Sequence, residues 1–387
     1  MKDIKKNSEW LLKTSLPVSF EIKYVDGVLN HHNKELLGMG SQGNGARRIV
    51  VVDKKVSGIY LKDIIKYFKK NNIKIFLIVV DATEKNKHIK TLLFILEEIE
   101  KFGLSRKSEP IIAIGGGVLL DIVGFAANLY RRGVPYIKIP TTLLALVDAS
   151  VGVKTGVNFK GRRNRLGTYY PPIAVYLDTY FLKTLEPLEI SSGLGEILKM
   201  AVVKDKELFT LLQKNGKILL KNKFLNCKHS KEVINRSVDG MKCELQENLW
   251  EKNLERYVDF GHSFSPIPEI RSLTDDNVAS LTHGQAVTLD VIFSSIISYL
   301  RGMLSKKNVL SVMETARNLN LPTTHPYFMN SDILMEALSD TVKHRNGNQN
   351  LPIPKNIGNS IFINDLTYEN IRETVQMMKL LNNEISK

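Results

Sequence analysis

Apolar residues in the first half of the chain form short β-branched runs that alternate with stretches of helical spacing. Four runs predict strands, at 48–52, 73–80, 111–114 and 134–139. Two stretches with helical spacing predict helices, at 61–71 and 91–102. Strands separated by helices of this size are typical of a parallel sheet with helices packed on its faces. We therefore predict an α/β fold for this half.

The pattern changes near residue 190, where helix-period apolar positions replace the strand-like runs. Five helices are predicted, at 189–204, 206–220, 231–247, 287–302 and 305–319. Neither a repeat nor a low-complexity linker separates the two halves. We therefore expect two domains, 1–188 and 189–387, that meet at a close junction, the second of them all-helical.

A strand followed by a triple-glycine turn is the most informative feature of the sequence. The predicted strand 111–114 leads into Gly115, Gly116 and Gly117, and Asp121 follows. Backbone N–H groups at such a turn can approach a phosphate, because glycines have no Cβ atom to hold it away. More polar and charged groups follow along the chain, at Thr141, Thr142, 148–158 and 162–164. A glycine-rich loop without function is the alternative, but this density of hydrogen-bonding groups favours a dinucleotide-type site.

Composition agrees with an enzyme that works inside the cell. With 387 residues, 43% of them hydrophobic, the chain can bury a full core. Cys227 and Cys243 show neither metal-pair spacing nor a disulfide framework, which favours a reducing compartment. The segment 1–8 has no apolar core, so we expect no signal peptide, and no uncharged apolar run reaches the roughly 18–20 residues of a membrane span. We expect a cytoplasmic protein without a membrane partner.

The net charge of +14 comes from 54 Lys and Arg residues against 40 Asp and Glu residues. Such an excess can serve nucleic acid binding, an anionic small substrate or solubility. The lysines are scattered in groups of two or three, and no block of five basic residues occurs. We therefore expect no nucleic acid partner.

Three residues of the second half are candidate metal ligands. Glu196, His262 and His283 supply one carboxylate and two imidazoles, which is a typical catalytic zinc set with a coordination position left for substrate. Glycine beside each histidine allows close packing, and the predicted helix start at His283 favours a neutral imidazole. Eight histidines offer many such triples, and sequence distance alone cannot show that these three converge.

Several motifs, in this order along the chain, closely resemble the dehydroquinate synthase-like sugar phosphate cyclases. They are Gly115–Asp121, Tyr130–Gly133, Pro140–Leu144, Val147–Asn158, Gly193–Lys199, Asp259–His262 and His283–Val287. The resemblance covers roughly residues 45–360. It implies a Rossmann-like NAD-binding domain followed by a helical metal-binding domain, a zinc or cobalt ion, and a homodimer. It also places the three metal ligands on Glu196, His262 and His283.

The resemblance further implies two sets of site residues. Those expected to contact the sugar phosphate substrate or to act in catalysis are Asp148, Lys154, Asn164, Lys199, Lys242, Arg256, Asp259 and His344. Those expected to bind NAD are Asp53, Glu84, Lys87, Gly115, Gly116, Gly117, Asp121, Thr141, Thr142, Lys154, Arg163, Phe181 and Thr184. For the lysines and arginines the alternative is solvated surface charge. Lys199 lies three residues after Glu196, on the same helix face, so it could reach whatever the metal binds.

Finer features resemble the 2-epi-5-epi-valiolone synthase branch of the family. Dehydroquinate synthase carries a second histidine where this chain has Pro266, and an asparagine where it has Asp259. The segments 164–172 and 344–354, and the set Leu245, Asp259 and His344, fit the valiolone branch rather than the desmethyl-4-deoxygadusol synthases. That branch takes sedoheptulose 7-phosphate, which has no carboxylate.

Two positions depart from the usual family pattern. Gln285 replaces a glutamate, which is expected to remove one charge near the metal and to weaken metal binding modestly. Arg163 replaces a lysine before Asn164, which keeps the charge but changes the geometry of the donors.

The resemblance implies a reaction in which NAD is reduced and reoxidised within one turnover. Oxidation of a substrate hydroxyl acidifies the neighbouring C–H, phosphate leaves by β-elimination, the hydride returns, and an aldol step closes the carbocycle. Two alternatives remain at this stage. A metal-dependent polyol dehydrogenase shares the architecture but lacks the 148–164 run, and a catalytically dead binding protein would show broken ligand positions.

Overall fold

The computed structural model describes residues 10–42 and 45–385. The segment 1–8, expected not to be a signal peptide, lies outside these residues. Within the described part, no helix is both long enough and apolar enough to cross a membrane.

The first half is built on a parallel sheet, as predicted. Its described strands are β1 (Glu21–Tyr24), β2 (Arg47–Asp53), β3 (Lys74–Val80), β4 (Ile111–Gly115), β5 (Tyr136–Pro140), β6 (Lys154–Phe159), β7 (Arg162–Tyr169) and β8 (Ala174–Leu177). Six of them form one sheet in the order β1-β8-β5-β4-β2-β3, with every neighbouring pair parallel. The other two, β6 and β7, form a separate antiparallel hairpin that the apolar pattern did not predict.

Three helices connect the strands, α1 (Lys54–Lys70), α2 (Ile89–Phe102) and α3 (Gly117–Leu129). The first begins well before the predicted residue 61, because the Asp53 side chain accepts hydrogen bonds from the backbone N–H groups of Lys55 and Val56 and so caps the helix. Gly103, in the left-handed region with φ of 65°, ends α2.

Helices dominate the second half of the chain. They are α4 (Pro187–Val203), α5 (Lys206–Lys221), α6 (Ser230–Asn248), α7 (Pro266–Ser272), α8 (His283–Leu300), α9 (Lys306–Asn318), α10 (Ser331–His344) and α11 (Tyr368–Ile385). The predicted helical character is confirmed, with one addition. An antiparallel hairpin of β9 (Leu351–Asn356) and β10 (Asn359–Ile363) packs among the helices, so this half is not all-helical.

The two halves share an apolar core. Leu146, from a short π-helix after β5, and Leu177 from β8 belong to the same cluster of buried residues as Ile197 of α4 and Ile292 of α8. The helical half therefore shares its core with β8 and with the segment that follows β5. The domain boundary at 188/189 stays a prediction, and α4 begins two residues before it.

Candidate active site

The structure brings the three predicted metal ligands together. Glu196 lies in α4, His262 in the turn before α7, and His283 is the first residue of α8. Glu196 Oε1 is 3.1 Å from His283 Nε2 and 3.6 Å from His262 Nε2, and one donor atom from each residue lies within 4.8 Å of the others. Two donors bound tetrahedrally to one zinc ion at about 2.1 Å lie about 3.4 Å apart. The three side chains therefore have the spacing of a zinc-type site.

A close contact between α4 and α8 causes this convergence. A Cβ atom on Gly284 would lie 1.8 Å from the backbone oxygen of Ser192, and one on Gly195 would lie 2.3 Å from the backbone oxygen of Gly284. Only glycine allows the two backbones to approach this closely. Glu196 follows Gly195 and His283 precedes Gly284, so this backbone contact brings the two side chains close together.

The polar environment of Glu196 also fits a bound cation. Its carboxylate is buried, and neither oxygen has a hydrogen bond of acceptable geometry. Lys199 Nζ lies 2.6 Å from Oε2 as an ion pair. Burial alone would raise the pKa of Glu196, but Lys199, His262 and His283 together hold it well below its usual range. A buried, ionised carboxylate without a well-aligned hydrogen bond has lone pairs that a metal ion can use.

The two histidines differ in protonation. Burial, together with the nearby Lys199 charge, lowers the pKa of His262 to about 4, so this imidazole is neutral and ready to bind a metal. Burial also acts to lower the pKa of His283, but Glu269 and Glu196 outweigh it and raise the value to about 10. Without a metal ion, these two carboxylates favour a protonated His283, whereas the helix dipole favours a neutral one. A metal ion bound at Nε2 would take the place of that proton.

Glu269 of α7 is a site residue that the sequence analysis did not select. Its Oε2 lies 3.1 Å from His283 Nδ1, which is the arrangement that orients a metal-binding imidazole. Its Oε1 is paired with Arg163, whose Nε lies 3.1 Å from Glu84 Oε1. Gln285 has a different role, because its side-chain oxygen accepts the backbone N–H of Thr282 at 2.9 Å in the capping box of α8. The carboxylate next to His283 is therefore that of Glu269. These contacts give no reason to expect that Gln285 weakens metal binding.

A chain of alternating charges extends from the β6–β7 hairpin into the helical half. Lys154 pairs with Glu251, and Glu251 pairs with Arg256. Arg256 Nη2 lies 2.5 Å from Asp259 Oδ1, and Arg345 Nη2 lies 3.5 Å from Asp259 Oδ2. Burial would raise the pKa of Asp259, but Arg256 and Arg345 lower it, so this carboxylate is ionised. The alternative of solvated surface charge therefore does not hold for Arg256.

Glu251 and Arg345 were also missed by the sequence analysis. Glu251 lies in a loop after α6. The only feature of the sequence that could have pointed to it is its position five residues before Arg256. Arg345 follows the predicted residue His344, whose own side chain is half exposed and faces Asp340 at 3.4 Å. It is therefore the buried guanidinium of Arg345 that reaches the charge chain, and not the imidazole of His344.

Lys242 is another predicted residue that the structure leaves outside this group. Its side chain is half exposed on α6 and pairs with Asp239 at 3.0 Å. Asp148 and Lys199, by contrast, lie at the metal-ligand cluster. Lys199 Nζ donates to the Val258 backbone oxygen at 3.1 Å, and burial, followed by the charge of Glu196, raises the pKa of Asp148.

Lys138 of β5 supports the C-terminal end of the short π-helix Ala145–Ala149, which carries Asp148. Its fully buried Nζ lies 3.1 Å from the backbone oxygen of Ala149 and 2.7 Å from that of Gly152. Burial lowers the pKa of Lys138 to about 8. The sequence around Lys138, a single lysine in a β-branched run, does not indicate that its side chain binds these backbone oxygens.

Most predicted NAD residues surround the carboxyl ends of the parallel strands. Gly115 ends β4, Gly116 is the residue before α3, and Gly117 begins that helix. Lys87 Nζ lies 2.6 Å from both Asp121 Oδ2 and Asn164 Oδ1. The helix N-terminus and its bare backbone form the arrangement that binds a pyrophosphate.

The remaining predicted NAD residues have partners within the protein. Glu84 Oε1 accepts from the Asn158 side chain at 2.8 Å, and Thr142 Oγ1 accepts from the Ala145 backbone at 3.2 Å. Thr184 Oγ1 lies 3.0 Å from the Tyr60 hydroxyl, while Phe181 packs edge-on against the Tyr60 ring. Thr141, next to Thr142, is buried.

Asp53 was expected to hold the adenine ribose, but its side chain has other contacts. Besides capping α1, its Oδ2 accepts the backbone N–H of Ala82 at 3.3 Å. Both carboxylate oxygens are therefore used by the protein backbone.

Gly116 offers a clean test of the pyrophosphate site. A Cβ atom there would meet only Thr142, at an ordinary contact distance of 3.4 Å, so the fold tolerates a side chain. We expect Gly116→Val to raise the dissociation constant for NAD⁺ more than about tenfold, since the added methyl groups fill the space of the pyrophosphate. The melting temperature of the NAD-free protein should change little. Calorimetric titration with NAD⁺ measures the effect, and unchanged NAD⁺ affinity would contradict the assignment.

The N-terminal domain model of 3-dehydroquinate synthase matches residues 77–192, and the C-terminal domain model matches residues 193–344. The chain belongs to the dehydroquinate synthase family. Within this family, a 2-epi-5-epi-valiolone synthase from Streptomyces albus is 43% identical over 378 residues, which are 96% of this chain and 91% of that relative. A demethyl-4-deoxygadusol synthase from Trichormus variabilis is 35% identical, over 92% of this chain and 86% of the relative.

A solved family structure is also similar. It is a 2-epi-5-epi-valiolone synthase from Streptomyces hygroscopicus subsp. jinggangensis 5008 with NAD⁺ and Zn²⁺ bound. The two chains are 40% identical, with a TM-score of 0.90, and the match covers 96% of this chain and 99% of the other. The Rossmann-like and helical architecture implied by the sequence resemblance is thereby confirmed.

Proposed function

We propose that this protein is a 2-epi-5-epi-valiolone synthase. It converts sedoheptulose 7-phosphate into the C7 cyclitol 2-epi-5-epi-valiolone and releases phosphate. The observation that carries the proposal is the cluster of Glu196, His262 and His283 around the buried Glu196 carboxylate, in a chain 43% identical to a relative named for that activity. The substrate loses the elements of phosphoric acid without net oxidation, so NAD acts as a recycled cofactor.

The metal ion and NAD would have different roles in the reaction. Bound zinc or cobalt would lower the pKa of a substrate hydroxyl, and NAD would accept and return a hydride. We propose that Glu196, His262 and His283 hold the metal and that residues 115–117 and 121 hold the pyrophosphate side of NAD. Lys199 and Asp148 border the metal ligands and are placed to exchange protons with the substrate.

The charge chain supplies the binding site for the phosphate. Lys154 and Arg256 share the carboxylate of Glu251, so a phosphate that carries more charge can take that place between them. Asp259 is held as an anion by Arg256 and Arg345. A fixed negative charge here disfavours a substrate carboxylate, because like charges in a buried site repel strongly. Sedoheptulose 7-phosphate has no carboxylate, so it suits this arrangement.

We also propose that the enzyme is a cytoplasmic homodimer that uses no nucleic acid partner. The homodimer is the assembly implied by the family resemblance. Cys227 and Cys243 are both free thiols, which suits a reducing compartment.

The proposal predicts a strong preference between two sugar phosphates. With NAD⁺ and zinc or cobalt, phosphate release from sedoheptulose 7-phosphate should exceed release from 3-deoxy-arabino-heptulosonate 7-phosphate by at least about 100-fold. Phosphate should accumulate in large excess over NAD, without a matching rise in NADH absorbance. NMR and mass spectrometry of the product identify the cyclitol.

Each alternative function has its own outcome in the same assay. Comparable phosphate release from both sugars would contradict the valiolone assignment, and a preference for 3-deoxy-arabino-heptulosonate 7-phosphate would favour a 3-dehydroquinate synthase. NADH formed one for one with oxidised substrate would identify a polyol dehydrogenase. A different cyclitol from sedoheptulose 7-phosphate would favour the deoxygadusol branch.

A further inference from the structure

A buried aspartate on α8 makes contacts that the proposed chemistry does not use. Asp290 lies seven residues, or about two helical turns, after His283 and therefore on the same face of the helix. The side chain is fully buried. Its Oδ2 accepts the backbone N–H groups of Phe264 at 2.6 Å and Ser265 at 2.9 Å, and its Oδ1 accepts the Ser294 hydroxyl at 3.0 Å.

The backbone that Asp290 binds is the turn that carries His262. Within this turn, Ser265 Oγ donates to the Gly261 backbone oxygen at 2.7 Å. Gly261 has a φ of 78°, and a Cβ atom there would lie 2.9 Å from Val287 Cγ1 of α8. The turn therefore contacts α8 on both sides of His262, through Gly261 before it and through the Asp290 hydrogen bonds after it.

Burying an ionised carboxylate costs free energy of folding unless hydrogen bonds compensate it. Burial raises the pKa of Asp290, while the backbone and Ser294 hydrogen bonds act in the opposite direction. An apolar residue would pack in a helix core without this cost. The benefit is a fixed distance between the turn and α8.

We propose that Asp290 is a positioning residue that sets the separation of His262 and His283. One histidine belongs to α8 itself, and Asp290 fastens the turn that bears the other to the same helix. Asp290 therefore fixes the spacing of the donor pair, whereas Glu269 orients a single ring from its Nδ1 side. The inference rests on the proposed metal centre and adds a residue whose hydrogen bonds go to the turn and to Ser294 instead of to the three ligand side chains.

The variants Asp290→Ala and Asp290→Asn test the proposal through metal binding instead of activity. Zinc affinity is measured by competition with a chromophoric chelator. We expect Asp290→Ala to weaken zinc binding about 10- to 100-fold, the usual effect of removing a residue that supports metal ligands. Asp290→Asn should have a smaller effect, since its amide oxygen can still accept both backbone hydrogen bonds, which are weaker without the negative charge. Cobalt-loaded variants should show shifted visible bands, because these bands report coordination geometry.

Two control variants separate positioning from general stability. Asp178→Asn alters another buried carboxylate, one that accepts the backbone N–H groups of Val28 at 2.8 Å and Tyr180 at 2.9 Å. It should lower the melting temperature without changing zinc affinity or the cobalt spectrum. Ser294→Ala removes one donor to Asp290 but leaves both bonds to the turn, so its zinc affinity should stay close to that of the wild type.

The outcomes distinguish this inference from the proposed function. Wild-type zinc affinity and an unchanged cobalt spectrum in folded Asp290→Ala would overturn the positioning role alone. If that variant does not fold, Asp290→Asn decides by the same two measurements. If the wild-type protein itself binds no zinc or cobalt, the metal centre is wrong and the inference falls with it.

Discussion

Replacing His262 by alanine should remove bound metal and turnover together. The variant leaves two protein ligands, Glu196 and His283, which is too few for a stable catalytic site. Removing a residue that merely supports a ligand costs about 10- to 100-fold, so the loss of a ligand should cost more than about 100-fold in metal affinity. Elemental analysis of the purified variant and phosphate release from sedoheptulose 7-phosphate check both effects.

His325→Ala is the matched control for this experiment. His325 is also buried in the helical half, where its Nε2 lies 2.9 Å from the Ala279 backbone oxygen and its Nδ1 accepts from Tyr327. It is no part of the three-residue cluster. The control should keep its metal content. Full metal content or full activity in His262→Ala would refute the assigned ligand set.

Gly284→Ala should disrupt both the fold and the metal centre with a single methyl group. The added Cβ would lie 1.8 Å from the Ser192 backbone oxygen, which cannot move aside as a flexible side chain would. Overpacking of this kind costs about 1–3 kcal/mol of unfolding free energy, and occasionally more. Moving α4 away from α8 also separates Glu196 from His283. Denaturant unfolding and zinc titration should both show a loss.

Gly58→Ala makes the same change where space is available. Gly58 lies inside α1, and a Cβ atom there meets no atom within 4 Å. Alanine is the better helix former by about 1 kcal/mol, so this variant should be as stable as the wild type or more stable. Equal behaviour of the two variants would show that the contact between α4 and α8 does not control the site.

The glycine turn and the metal ligands could be predicted because their signals are local. A β-branched run before Gly115 to Gly117 predicted a strand and a turn into a helix, and both lie at that place, while phosphate binding by the turn stays a prediction. His262 and His283 were selected with their flanking glycines. The distance of Glu196 from His283 depends on how α4 and α8 pack, and no spacing along the sequence reports that.

The missed residues act across long sequence distances or in irregular backbone. Glu269 reaches Arg163 from 106 positions away, and Arg345 reaches Ser263 from 82 positions away. The β6–β7 hairpin escaped prediction for a different reason. Much of β7 is exposed, so the strand lacks the alternation of apolar residues that identifies a half-buried strand.

The contacts of Arg163 provide a route for thermodynamic coupling between NAD binding and metal binding. This arginine binds Glu84, on the side of the parallel sheet, and also Glu269, which supports His283. If NAD binding draws the guanidinium toward Glu84, the contact with Glu269 weakens and metal affinity changes by some factor. Linkage then requires that metal binding change NAD affinity by the same factor. The order in which the two cofactors load would therefore affect the rate at which the holoenzyme forms but not its final amount.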